Sequence, residues 1–194
     1  MEARCEEARD EEEAVARPLA RCLCLACYRW QMYRSVLVLT LFTALASADA
    51  PKFELDGNNL KTPPVTYNTG KATLKTESAA AIARVAAYLE AKTYISTLRI
   101  EVHSDSMGSD EANQKLTEAR SLEVAKALIA KGVDCKRLIA VGFGETKPAA
   151  DNDTPEGKAA NRRTLFVNAA LRGKAIGGMP LDGGGVVAGD PCVK

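Results

Sequence analysis

The feature that most constrains the fold is an alternation of strand-like and helix-like segments between residues 65 and 171. Short apolar or alternating runs predict strands, and longer runs with apolar residues at helical spacing predict helices. The segments are VTY (65–67), TESAAAIARVAAYLEAK (76–92), LRIEV (98–102), LTEARSLEVAKALIAKG (116–132), RLIAVGFG (137–144) and TLFVNAAL (164–171). This β-α-β-α-β-β order predicts an α+β fold, a two-layer sandwich in which two main helices cover one face of a small, mixed, four-stranded sheet.

The first 48 residues differ in character from the rest of the chain. Residues 32–48 combine an arginine, an apolar stretch and an A-S-A motif, which together predict a signal peptide cleaved after Ala48. The apolar stretch is shorter than the ~20 residues that a helix needs to cross a bilayer core. Residues 1–31 are then interpreted as a mis-called N-terminal extension, because signal peptides begin close to their charged region. The alternative is a small metal site built on Cys22, Cys24 and Cys27.

The two ends of the predicted mature chain are rich in turn-forming residues. Residues 49–61 are predicted to be a lead-in, and residues 173–194, with many glycines and no period, a flexible tail. Only Cys135 and Cys192 remain after cleavage. Two cysteines can pair in an oxidising compartment, but free thiols are also common, so the sequence leaves both possibilities open.

Composition argues against several classes of function. A formal net charge of +1 provides no clustered basic face for nucleic acid, and 5% aromatic residues disfavour stacking platforms. His103 is the only histidine of the chain, and the mature part has only two cysteines, too few for a closed zinc site. No G-x-S-x-G nucleophile pattern occurs either. No enzymatic activity, metal or cofactor is therefore expected.

The polar stretch HSDSMGSDEANQKLTEAR (103–120) follows directly on an apolar strand. It could be a metal or catalytic site, a ligand-binding loop or an ordinary solvated loop. The lone histidine argues against the first interpretation. In the second, the carboxylate of Asp105 would hold an ammonium group, the planar guanidinium of Arg120 would hold a carboxylate, and Gly108 would allow a tight turn. Such a pair suits a zwitterion, such as the free end of an amino acid, although solvated loop charges remain the alternative on these residues alone.

Three blocks together resemble the signature of the OmpA-like C-terminal domain family. They are the stretch 103–120, GFGETKP (142–148) and NDTPEGKAANRR (152–163). The matching positions are His103, Asp105, Gly108, Asn113, Leu116, Arg120, Gly142, Gly144, Glu145, Pro148, Asn161, Arg162 and Arg163. The stretch YNTGKATLKTES looks like the first strand and turn of that family, so the resemblance covers about residues 62–172.

The resemblance implies noncovalent binding of peptidoglycan through the diaminopimelate of its stem peptide. In that family the residue matching Asp105 takes the ammonium group and the residue matching Arg120 takes the carboxylate. By the same resemblance Asn113, Gly108 and Arg162 belong to the peptidoglycan-binding site. The expected location is the periplasm, associated with the wall or peripheral to the outer membrane, without a transmembrane segment in the mature chain.

One departure and one alternative accompany this interpretation. Val102 stands where the family usually has glycine, and its bulk can alter the backbone of the loop that follows. The alternative function is a periplasmic adaptor with the same fold and little wall affinity, whose tail engages another envelope protein. His103, Glu145 and Pro148 are assigned structural roles.

Overall fold

The computed structural model describes residues 52–176 and 183–193, so the predicted signal peptide and N-terminal extension lie outside the described residues. The helices and strands follow one another along the chain as β1 (Leu55–Asp56), β2 (Asn59–Leu60), α1 (Ala79–Ala91), β3 (Ile95–Val102), α2 (Asp110–Ala130), β4 (Leu138–Gly142), α3 (Pro155–Asn161), β5 (Thr164–Leu171), β6 (Lys174–Ala175) and β7 (Val186–Val187). Two short 3-10 turns, Thr76–Ser78 and Cys135–Arg137, precede α1 and β4.

The sheet is mixed, and β3 lies at its centre. The strand order is β1-β2-β5-β3-β4-β7, with β6 paired to β5. β3 runs parallel to β4 and antiparallel to β5. The α+β class and the small mixed sheet are confirmed, but the described strands number seven, where the sequence predicted four. The predicted strand 65–67 is not part of the sheet, because Tyr67 forms only an isolated bridge with Leu74.

The core lies between one face of the sheet and the helices α1 and α2. Alternate residues of β3 point to this face, as strand geometry requires, and Leu98, Ile100 and Val102 are fully buried there. Their partners in the core include Val85 of α1 and Leu128 of α2. Val102 therefore places its bulk in the core rather than beside the loop, and its backbone keeps regular pairing with both neighbouring strands.

Two helices differ from the sequence prediction because their first turns are polar. α2 begins at Asp110, six residues before the predicted start, since the Ser109 hydroxyl accepts a hydrogen bond from the Ala112 N–H at 3.3 Å. α3 lies in the polar stretch 151–163, for which the sequence pattern predicts neither a helix nor a strand, and Thr154 caps the Gly157 N–H there at 3.0 Å. Apolar periodicity cannot detect such turns, because capping and not burial stabilises them.

Residues 183–193 of the predicted C-terminal tail are docked on the sheet, so the prediction of a flexible tail is wrong there. β7 pairs with the edge strand β4, and Ala188 is buried and donates its N–H to the Ala140 carbonyl at 2.9 Å. Cys135 and Cys192 form a disulfide with a Cα–Cα distance of 5.2 Å. Glycine content alone concealed the short V-V-A strand and its edge partner. The predicted lead-in likewise contains the β1–β2 hairpin, joined to β5.

None of the helices formed by residues 52–176 and 183–193 is both long and apolar enough to span a membrane. α2 is the longest of them, at 21 residues, but it carries charged residues along much of its length.

Candidate ligand-binding site

Asp105 lies just beyond the end of β3, where the neighbouring segments hold the chain from both sides. The His103 N–H donates to the Arg163 carbonyl at 2.9 Å, and the Ser104 N–H donates to the Gly144 carbonyl at 2.8 Å. This extension of the antiparallel register with β5 brings Asp105 next to Arg162. The Arg162 Nη1 and the Asp105 Oδ2 form an ion pair at 2.5 Å, with only 10% of the aspartate side chain exposed.

The turn after Asp105 is shaped by Gly108. Oδ1 of Asp105 accepts a hydrogen bond from the Met107 N–H at 3.3 Å, a local turn that aspartate commonly makes. Gly108 has a φ of +109°, a conformation that residues with a side chain rarely adopt. Its role is therefore to redirect the backbone from the loop into α2.

Asn113 fastens this loop to the chain that follows β4. It is buried, and its Nδ2 donates to the Asp105 carbonyl at 3.2 Å and to the Glu145 Oε2 at 2.8 Å. Asn113 and Gly108 are not among the residues that line the cleft described below. The structure thus brings both next to Asp105, in positions that support the site, but not to the cleft surface.

The position of Arg120 depends on a close approach of α2 to β4. A Cβ built on Gly142 would lie 2.5 Å from the backbone nitrogen of Glu118, so only glycine fits there. The helix is also bonded to this segment, because the Gly144 N–H donates to the Thr117 hydroxyl at 2.9 Å and the Gln114 Nε2 donates to the Gly142 carbonyl at 2.9 Å. The G-x-G pattern is therefore a packing requirement that fixes the helix carrying Arg120.

Two contacts hold the guanidinium of Arg120. Its Cζ lies 4.7 Å from the centre of the Tyr67 ring, a cation–π contact, and its Nε donates to the Lys71 carbonyl at 3.1 Å. Burial lowers the pKa of Arg120, and the nearby charge of Asp105 partly opposes this effect. Tyr67 is itself fixed by a hydrogen bond of 2.9 Å to Thr164, and burial raises its pKa to about 12.

A cleft of about 330 Å³ opens beside these groups. Its lining consists of Val65, Thr66, Tyr67, Thr69, Gly70, Lys75, Arg120 and Arg162. Three of these side chains are cationic, and none of the described lining residues is acidic. The carboxylate of Asp105 is not part of the lining, but it is paired with Arg162. Of the five residues predicted for the site, the structure brings Arg120 and Arg162 to the cleft surface.

Residues 65–75 form one wall of this cleft, and the sequence interpretation did not name them as site residues. The wall is a hairpin-like turn in which the Lys75 N–H donates to the Thr66 carbonyl and the Asn68 N–H donates to the Thr73 carbonyl, both at 3.0 Å. Its only signal was the YNTGKATLKTES stretch within the family resemblance. Nothing in that stretch alone indicates that Tyr67 would stack under an arginine from α2.

His103 lies outside the cleft, in the opposite face of the sheet. Its ring stacks on Phe143 with a centroid distance of 4.7 Å, and neither ring nitrogen has a hydrogen-bond partner among the described residues. Nε2 lies 3.7 Å from the Glu101 carboxylate, too far for a hydrogen bond. Burial lowers the pKa of His103; the adjacent Glu101 opposes this, and Arg163 and Lys147 add to it.

Residues 52–176 and 183–193 contain no group of three or more His, Cys, Asp or Glu side chains placed to hold a metal ion. The cleft offers recognition of charge through its three cationic side chains, one of which, Arg162, is paired with the buried carboxylate of Asp105.

Fold and site together define a small α+β domain with a charged cleft at the end of its central strand. A model of the OmpA family matches residues 66–162, half of the chain, and the chain belongs to this family. Outer membrane porin F of Pseudomonas aeruginosa is 44% identical over 101 residues, 51% of this chain and 28% of the porin. The protein named "Probable lipoprotein YiaD" of Escherichia coli is 41% identical over 100 residues, 51% of this chain and 45% of that protein. The chain thus spans less than half the length of either relative.

Solved structures show the same fold. The peptidoglycan-associated lipoprotein from Burkholderia pseudomallei superposes with a TM-score of 0.50 at 27% identity, covering 55% of this chain and 89% of that one. The cell wall anchor of the T6SS from Pseudomonas aeruginosa superposes with a TM-score of 0.50 at 27% identity, covering 63% of this chain and 90% of that one.

Proposed function

We propose that this domain binds peptidoglycan noncovalently, by holding the zwitterionic end of diaminopimelate in the stem peptide. In this proposal Asp105 receives the ammonium group, and Arg120 receives the carboxylate. The observation that carries it is that Arg120 and Arg162 line one cleft beyond the central strand and that Arg162 is paired there with Asp105.

The chemistry of the site supports a small zwitterionic ligand. Arg120 presents a planar fork of N–H donors, the geometry that carboxylates bind best, and Tyr67 and the Lys71 carbonyl hold it in place. The carboxylate of Asp105 is almost buried, where charge-assisted hydrogen bonds are stronger than in water. A volume of about 330 Å³ lies within the usual range for small-ligand pockets.

The comparisons support the wall as the partner. The two proteins of known structure are a peptidoglycan-associated lipoprotein and a cell wall anchor, and both share this fold at 27% identity. Together with the signal peptide predicted over residues 32–48, they favour a periplasmic, wall-associated protein that links envelope components to the wall. Its role would be binding and not catalysis.

The test is co-sedimentation of the purified protein with diaminopimelate-type sacculi. Wild type should pellet with the sacculi, and Asp105→Asn and Arg120→Ala should bind roughly ten- to a hundredfold more weakly, because each removes a charge-assisted hydrogen bond of about 1.5–3 kcal/mol. Arg120→Lys should also lose most of the binding, since a point charge cannot replace the planar fork.

The matched control is Arg172→Gln, which removes an exposed cation at the far end of β5 from the cleft. It should pellet like wild type, and circular dichroism should show that every variant is folded. Folded wild type that remains in the supernatant would refute wall binding. The adaptor function would then become the working hypothesis.

A further inference from the structure

The carboxylate proposed to receive the ligand's ammonium group is already paired with a cation of the protein. Arg162 makes an ion pair with Asp105, and the same arginine lines the cleft beside Arg120. We propose that Arg162 is a specificity-determining residue that acts as an internal counter-ion of Asp105. An incoming ammonium group must displace Arg162 from Asp105, and only a ligand that carries its own carboxylate gives the displaced arginine a new partner. This inference rests on the proposed function and adds the reason why the site would reject a simple amine.

The two arginines are held in different ways. The guanidinium of Arg120 is packed on Tyr67 and bonded to the Lys71 carbonyl, so it is a fixed anchor. Half of the Arg162 side chain is exposed, and its ion pair with Asp105 is its one side-chain hydrogen bond among the described residues. Rotation of this side chain therefore breaks one hydrogen-bonded ion pair.

The backbone that carries Arg162 is fixed, so the exchange needs only a side-chain movement. The preceding residue, Asn161, is completely buried, and its Oδ1 accepts hydrogen bonds from the Ala149 and Ala150 N–H groups at 2.7 and 3.0 Å. The Arg162 N–H donates to the Lys158 carbonyl at 3.1 Å, and the Arg163 N–H donates to the Asn161 carbonyl at 2.8 Å. The guanidinium can swing from Asp105 into the cleft while its Cα stays in place.

The charges around the cleft decide which ligands profit from this exchange. A ligand with an amine alone can bind Asp105, but it releases Arg162 into a cleft that already contains Arg120 and Lys75. The released cation then has no carboxylate to bind, and like charges in one site repel. A zwitterionic end brings a carboxylate within reach of Arg162 and Arg120, so every charge keeps a partner. Selectivity therefore comes from the displaced arginine as well as from the direct contacts.

The experiment compares two soluble stem tripeptides that differ by one carboxylate, ending in diaminopimelate or in lysine. Binding of each to wild type and to Arg162→Gln is measured by calorimetry, with sacculus co-sedimentation in parallel. In the variant the affinity for the lysine peptide should rise about tenfold, because its amine no longer has to break the ion pair between Arg162 and Asp105. The affinity for the diaminopimelate peptide should stay within about threefold of wild type, because the variant lacks one partly exposed ion pair of Arg162 in the free protein and one in the complex. The selectivity should thus fall by roughly an order of magnitude.

Two further variants separate this role from a general effect of charge. Arg162→Lys keeps a cation near Asp105 and should keep most of the selectivity, and Arg172→Gln should behave like wild type with both peptides. Wild-type selectivity in Arg162→Gln would overturn the counter-ion role while leaving wall binding intact. A loss of affinity for both peptides in that variant would also overturn it and would make Arg162 a direct ligand contact. Failure of wild type to bind either peptide or sacculi would overturn the proposed function itself.

Discussion

Gly142→Ala should destabilise the domain although it adds only one methyl group. The Cβ would lie 2.5 Å from the backbone nitrogen of Glu118, 2.8 Å from its Cγ and 2.9 Å from its Cα. Two of these three atoms belong to the backbone of α2, so no side-chain rotation can relieve the clash. The helix would have to retreat by about 1 Å to reach an ordinary carbon contact of ~3.5 Å.

The size of the loss in stability follows from this geometry. Overpacking of a close-packed core costs typically 1–3 kcal/mol, and a clash with backbone belongs in the upper part of that range. We therefore expect Gly142→Ala to lower the free energy of unfolding by about 2–3 kcal/mol, which at a usual urea slope moves the unfolding midpoint down by about 1 M. Movement of α2 should also weaken sacculus binding, because Arg120 lies only two residues beyond Glu118 on the same helix.

Gly189→Ala is the matched control, because a Cβ there would meet nothing within 4 Å. The same change of residue type then separates the packing effect from any general effect of alanine on the unfolded chain. Equal urea midpoints for the two variants would refute the assignment of Gly142 to the contact with α2.

Two further predictions concern the tail and the buried histidine. Cys192→Ser opens a disulfide between residues 57 positions apart, so it should lower the free energy of unfolding by up to about 4 kcal/mol and remove the effect of reductant on the urea midpoint; a wild type indifferent to reductant would contradict this. The lowered pKa of His103 means that the unfolded chain binds its proton more readily. Stability from this group should be complete above about pH 6.5 and should be lost as the pH falls from there through the folded-state pKa, whereas His103→Phe should show a flatter profile between pH 7 and 5. Equal pH profiles would show that the ring does not titrate this way.

The titration of Glu101 falls mostly below the pH range of the histidine measurement. Burial raises the pKa of Glu101, but His103 and Arg99 beside it together outweigh burial, so this pKa is lowered from 4.5. Its contribution is therefore present above about pH 4.5 and is lost only below that range. Between pH 7 and 5 the change in stability therefore comes mainly from His103 of these two groups.

Local pattern was enough for the order of the main elements. Strand alternation in β3 and apolar spacing in α1 are properties of neighbouring residues, and the structure confirms the α+β class that follows from them. The three spaced motifs were enough for the family, and the structure gives Gly142, one of their positions, a physical reason, the close contact with α2. The helix starts at Ser109 and Thr154 escaped this reasoning, since a cap is one hydrogen bond and has no period.

The sequence by itself determined which charges the chain brings to the site, and it indicated that Asp105 and Arg120 act together. Only the tertiary structure decided how those charges are paired. The register of β3 with β5 places Arg162 on Asp105, and the turn before α1 places Tyr67 under Arg120. The order of the tail was likewise decided by tertiary structure, because its strand is stabilised by the open edge of β4 and by a disulfide to a cysteine distant in sequence. Contacts between distant segments depend on geometry that local residue patterns do not contain. The partners of these charges and of the tail therefore follow only from the tertiary structure.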